Sequence, residues 1–152
     1  MEFSNAIRHL REIVSVLRIL GTYPKEGEES IIKSEEIEEA YVVGIFGFGR
    51  FGQFLGKELA KRFKVLATSR TSYEMVAHNY NIEWYNTLDE FFAKKMDCLI
   101  VGTSILSFEK IIKKISKYDL KDTLIVDVCS VKTFPKEIML KYLPKDYQAL
   151  YK

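Results

Sequence analysis

Residues 41–70 read YVVGIFGFGRFGQFLGKELAKRFKVLATSR, and this stretch decides the fold. Tyr41–Phe46 is a short apolar run that ends in glycines, which predicts a buried strand. Arg50 to about Arg62 has the composition and spacing of a helix. Val65–Thr68 is a second short apolar run, hence a second strand. Between the first strand and the helix stands Gly47-Phe48-Gly49-Arg50-Phe51-Gly52, a G-x-G-x-x-G turn. The motif is weak alone, but here it follows a predicted strand and opens a predicted helix, the context it requires. Gly47 permits the tight turn, Gly49 lets backbone approach a pyrophosphate, and Gly52 lets helix and strand pack closely. The N–H groups at the helix start, from Phe48 through Phe51, then face the phosphates, and the helix dipole favours their charge.

The end of the second strand should carry the group that reads the adenosine ribose. Ser69 lies 22 positions after Gly47. An acid there would hydrogen-bond the ribose 2′-hydroxyl and repel a 2′-phosphate. The sequence instead reads Thr68-Ser69-Arg70-Thr71-Ser72. Arg70 offers a planar fork to a phosphate, and the hydroxyls of Ser69 and Thr71 add neutral donors. Loss of the acid and gain of the base both favour NADP over NAD.

Outward from this stretch, strand and helix patterns keep alternating. Tyr73–Tyr80 reads as a short helix, Ile82–Tyr85 as a strand, Leu88–Lys95 as a helix and Asp97–Gly102 as a strand. Phe108–Tyr118 follows as a helix with Ile111, Ile112 and Ile115 on one face. Thr123–Val128 is a strand, Pro135–Tyr142 a helix, and Gln148–Tyr151 the start of a further strand. Strict alternation predicts an α/β, Rossmann-type doubly wound parallel sheet of five to six strands, covered on both faces.

Residues 1–40 differ. They hold five basic and nine acidic residues, net −4, whereas residues 41–152 hold eighteen and twelve, net +6. The expected division is therefore an N-terminal helix plus acidic linker over 1–40 and an NADP-binding domain over 41–152. Ile7, Leu10, Ile13, Val14, Leu17 and Leu20 recur at helical spacing, an amphipathic helix of about four to five turns stopped by Gly21 and Pro24. It can pack on the domain or mediate homo-oligomerisation; a basic membrane-surface helix is a weaker reading, since its charges are mixed. Residues 25–39 are Glu-rich and read as a solvated linker or short surface helix.

Composition narrows the function classes. The chain has 152 residues, is 47% hydrophobic and 29% charged, and has net charge +2. A domain of this length buries roughly 68–70% of its unfolded surface and needs neither disulfide nor metal to fold. So small a net charge argues for no nucleic acid and no anionic membrane. Cys98 and Cys129 sit in apolar runs and fit a reducing compartment. His9 and His78 are far apart, so no metal site is expected. Charges interrupt any signal-peptide core, and Glu outnumbers Ser in the first forty residues, which argues against a transit peptide. The expected compartment is cytoplasmic.

Three segments together resemble the arogenate and prephenate dehydrogenase family, most of all its plant-type arogenate enzymes. They are GIFGFGRFGQFLGKELAKRFKVLATSR (44–70), VGTSILSFEKII (101–112) and LIVDVCSVKTFPKEIMLKYLP (124–144). The resemblance covers residues 41 to about 151 and only the family's cofactor-binding domain. It implies oxidative decarboxylation of a cyclohexadienol acid in tyrosine biosynthesis, with hydride passing to NADP. It implies that Ser130 contacts the ring hydroxyl, that Thr103 and Ser104 border the cofactor ribose and nicotinamide, and that Cys129 is a small buried spacer. The family's base, a histidine in a His-Pro context after the sixth strand, has no match here, nor has the helical C-terminal domain. General base catalysis is worth typically 10²–10⁴-fold, so the chain alone is expected to turn over slowly or not at all without that domain or a second subunit. Two other readings stand beside this one: a non-catalytic NADP-binding module for sensing or assembly, and an imine or β-hydroxyacid type of NADP reductase.

Overall fold

The computed structural model describes residues 41–128 and 133–151. The helix read over 7–20, the acidic stretch, and Cys129, Ser130 and Lys132 lie outside the described residues. The fold belongs to the compact unit that begins at Val42. Its strands are β1 (Val42–Phe46), β2 (Lys64–Thr68), β3 (Glu83–Trp84), β4 (Cys98–Val101), β5 (Leu124–Asp127) and β6 (Gln148–Tyr151). Its helices are α1 (Arg50–Leu59), α2 (Glu74–Asn79), α3 (Leu88–Phe92), α4 (Ile105–Ile115) and α5 (Thr133–Tyr142). The strands form one sheet in the order β3-β2-β1-β4-β5-β6. Every pairing is parallel. From β1 the chain winds outward to β3, then returns past β1 and winds the other way. The reversal falls between β1 and β4, where an open α/β sheet leaves a crevice at its carboxyl ends.

Side-chain alternation assigns the two faces. Gly44 pairs with Leu66 and Leu99, and Leu99 with Ile125. Leu66, Leu99 and Ile125 therefore share a face with Phe46 and Val101. All five join one core with Phe91 of α3, Phe108, Ile112 and Ile115 of α4, and Ile138 and Met139 of α5. The opposite face carries Ile45, Val65, Ala67 and Ile100, all buried. There α1 packs through Leu55 and Leu59, with Gly56 so close that a Cβ would sit 2.9 Å from Ile82 Cδ1. Burial on both faces is why β4 and the first three residues of β5 read as apolar runs.

Two helices start earlier than their periodicity predicts. α4 begins at Ile105 instead of Phe108, because its first turn is not apolar-in: Leu106 is 94% exposed. α5 begins at Thr133 instead of Pro135, and a proline in the first turn removes only an N–H that has no intrahelical partner there. α3 is shorter than read. It starts at the Thr87 cap, whose hydroxyl accepts from Glu90 N at 3.2 Å and donates to the Glu90 carboxylate at 3.0 Å.

The β2–β3 edge is held by a small polar cluster. Lys64 Nζ lies 3.1 Å from Glu83, and the Tyr85 hydroxyl donates to Glu83 at 2.8 Å. Burial, then the bond to Glu83, pushes the Tyr85 phenol up to about 12, and that bond holds the Glu83 carboxyl below its usual range. The phenol's contribution to folding is complete below its unfolded value of 10.0 and is lost as pH rises toward about 12. Denaturant midpoints are thus expected to fall over that interval, and less steeply in Tyr85→Phe. Part of the slope remains in that variant, because the bond from Tyr118 to Asp89 raises Tyr118 as well. An identical slope in wild type and variant would contradict this assignment.

Candidate functional site

The turn after β1 is built by close backbone approach. Gly47 has φ +103°, a conformation side chains rarely adopt. A Cβ on it would lie 2.9 Å from the Gly102 carbonyl oxygen. Gly47 N–H donates to Thr68 O and Gly102 N–H donates to Phe46 O, both at 2.9 Å, so the ends of β1, β2 and β4 are tied together. One turn later, a Cβ on Gly52 would lie 2.2 Å from Gly47 O. Gly49 is different: its φ is −73° and a Cβ there would meet nothing within 4 Å. Protein packing therefore does not require glycine at 49. The open side of the turn does, if something outside the chain lies against it.

Phe48 sends its ring inward. It is fully buried, with the rings of Trp84 at 5.8 Å and Tyr73 at 6.4 Å. Its backbone is what the turn presents, fixed by Gln53 Nε2 donating to Phe48 O at 3.0 Å. Sequence reasoning gave Gln53 no role, and no local signal would have found it, because the contact depends on the turn's path. α1 has no side-chain cap and no acid in its first turn, which leaves its first N–H groups to an outside acceptor.

Above the carboxyl ends of β1, β2 and β4 opens a cleft of about 450 Å³. Of the residues singled out in the sequence, Gly47, Phe48, Gly49, Ser69, Arg70, Thr71, Thr103 and Ser104 all line it. Arg50 and Phe51 stand on the exposed side of the helix start and Gly52 is buried behind the turn, so these three are not in its wall. Ser130 is outside the described residues. The cleft also takes in Tyr73, Asn86, Leu88 and, from α4, Ser107, Lys110, Ile111 and Lys114, which sequence reasoning did not name as site residues. Their signal was present: positions 107, 110, 111 and 114 recur at i, i+3, i+4 and i+7, one stripe of a helix.

The lining is electrically one-sided. Among the described residues, Arg70, Lys110 and Lys114 contribute cations to the cleft and no Asp or Glu lines it. Leu88 and Ile111 add apolar surface. Open backbone N–H groups at the turn after β1, cations from the β2 and β4 sides of it and apolar side chains in the wall suit a long anionic nucleotide. Among the described residues, no group of three His, Cys, Asp or Glu could hold a metal, and no helix is long and apolar enough to cross a membrane.

Comparison with known proteins agrees with this arrangement. Residues 42–130 match the model of the family described as NADP oxidoreductase, coenzyme F420-dependent. The chain belongs to this family. Arogenate dehydrogenase 1, chloroplastic, of Arabidopsis thaliana is 44% identical over 110 residues, 71% of this chain and 17% of that protein. Arogenate dehydrogenase 2, chloroplastic, of the same plant is 37% identical over 125 residues, 80% of this chain and 35% of that protein. The oxidoreductase domain thus resembles arogenate dehydrogenases, as its motifs imply, and spans a minor part of their length. Among solved structures, Synechocystis arogenate dehydrogenase superposes with a TM-score of 0.60 at 21% identity, over 66% of this chain and 37% of that one. Prephenate dehydrogenase from A. aeolicus, in complex with hydroxyphenyl propionate and NAD+, superposes with a TM-score of 0.59 at 20% identity, over 71% and 41%. These likenesses establish the dehydrogenase fold.

The two glycines of the turn separate packing from binding. Gly52→Ala is expected to cost roughly 2–3 kcal/mol of stability, since backbone must move to admit the methyl. Gly49→Ala should change stability by no more than about 0.5 kcal/mol yet weaken nicotinamide-dinucleotide binding by about tenfold or more. Thermal melts and calorimetric titration check both. A Gly49→Ala variant that binds like wild type would show that nothing approaches the turn there.

Proposed function

We propose that this oxidoreductase domain is the NADP-binding domain of an arogenate-type dehydrogenase. One observation carries the cofactor choice. At the end of β2, where an acid would select NAD, the cleft is lined instead by Ser69, Arg70 and Thr71. The guanidinium of Arg70 would pair with a 2′-phosphate, with the two hydroxyls as further donors. Phe48, Gly49, Arg50 and Phe51 would offer the backbone N–H groups of the turn and helix start to the pyrophosphate. Gly47 and Gly52 would hold that turn against the sheet.

When bound, NADP+ supplies a hydride acceptor. Thr103 and Ser104, at the end of β4 beside the turn, would border its ribose and nicotinamide. The substrate class is a cyclohexadienol acid of the arogenate or prephenate type. As the carbinol carbon gives up its hydride, its hydroxyl proton goes to a base, and loss of carbon dioxide leaves an aromatic ring. Ser130 would hydrogen-bond that ring hydroxyl and orient it. The similarity to two arogenate dehydrogenases over residues of this same domain supports the reading.

Calorimetric titration of the chain with NADPH and NADH is the test. Wild type is expected to prefer NADPH by about tenfold or more, and Arg70→Ala to lose about ten- to a hundredfold in NADPH affinity with little change for NADH. Equal affinity of wild type for the two nucleotides would refute the assignment of NADP.

A further inference from the structure

The segment FEKIIKKISK, residues 108–117, carries four lysines on or just after one helix, and α4 sorts them. Phe108, Ile112 and Ile115 are fully buried against the sheet. Lys113 turns toward α5: its Nζ lies 3.7 Å from Glu109 and 5.0 Å from the centroid of the Tyr142 ring. Glu109 is held on that same side, since the Tyr142 hydroxyl donates to it at 2.7 Å. Lys110 and Lys114 belong to the remaining stripe, with Ser107 and Ile111, and all four line the cleft. At 1.5 Å of rise per residue, the two lysines stand about 6 Å apart along the helix axis. The helix's one carboxylate is committed elsewhere, and among the described residues no Asp or Glu lines the cleft that both lysines reach.

Arg70 enters the same cleft from the end of β2, whereas α4 follows β4. These strands flank β1 on opposite sides. The cations therefore come from the two banks of the crevice. A phosphate monoester carries about −1.5 to −2 charges at neutral pH, more than one guanidinium balances. The pyrophosphate has its own partners in the N–H groups of the turn.

We propose that Lys110 and Lys114 are specificity-determining residues that grip the cofactor's 2′-phosphate from the bank opposite Arg70. The proposal rests on reading the cleft as the NADP site, and NADP preference then depends on both banks.

The test is titration of the full chain with NADPH and with NADH, for wild type, Lys110→Gln/Lys114→Gln, Arg70→Ala and Lys113→Gln. All four positions are exposed, so melting temperatures should match. The double variant is expected to lose about tenfold in NADPH affinity and no more than about threefold in NADH affinity, with a shallower salt dependence for NADPH. Lys113→Gln should leave the ratio of the two affinities as in wild type. An unchanged ratio in the double variant, with the ratio collapsing in Arg70→Ala, would overturn the role of the lysines and leave the NADP reading standing. So would equal losses for both nucleotides, or a Lys113→Gln variant that lowers the ratio as far, since these mean a diffuse field. Wild type that binds neither nucleotide, or both alike, would overturn the reading and the proposal together.

Discussion

The rest of the structure depends on one steric constraint, the approach of Gly52 to the carbonyl of Gly47. The chain leaves β1 at Phe46 and must begin a helix by Arg50 that lies back on the same sheet. That is possible only if the helix's first turn passes directly over the bend. With a Cβ on Gly52 the two would overlap at 2.2 Å. With a side chain at 47 the bend would need a φ that costs energy, and the side chain would press on the backbone of Gly102 just after β4. Three local facts thus set a global one. The amino end of α1 stands above the carboxyl end of β1, and the cleft opens beside it.

α4 shows how a single helix can serve three neighbours. Its period of 3.6 residues divides the surface into stripes. One stripe, with Phe108, Ile112 and Ile115, holds the core. A second, with Glu109 and Lys113, meets Tyr142 of α5. The third faces the cleft. Core and cleft residues interleave in sequence but not in space, so the cleft stripe can change without disturbing packing. The same separation holds at the turn, where the Phe48 ring serves the core and its backbone serves the cleft.

The order of strands and helices was legible because each apolar run is bounded by glycine or polar residues, and all six strands stand where the alternation put them. What the pattern misplaced were helix starts. Periodicity detects buried faces, and the first turn of α4 is exposed at Ile105 and Leu106. The glycine turn and the β2 end were legible as site residues because their chemistry is local. The α4 stripe was read only as packing, through Ile111 and its neighbours, since nothing in a single helix says which of its polar faces meets solvent and which meets a cleft. That is settled by the crossing of α4 over the sheet, a tertiary fact.

The same distinction applies to charge. A net charge of +2 over 152 residues says little about anionic ligands, because the sum joins a region of −4 to one of +6. Binding responds to the field at a site, and low-dielectric walls concentrate that field. Here, among the described residues, the cleft gathers three cations and no carboxylate. Three of the domain's acids are held by other partners: Glu83 by Lys64 and Tyr85, Asp89 by Tyr118, Glu109 by Lys113 and Tyr142. A nearly neutral protein can therefore present a strongly positive cleft, provided its carboxylates are anchored to partners facing away. The tyrosines act here beside the lysines, since each phenol donates to a carboxylate and fixes it in place without cancelling its charge.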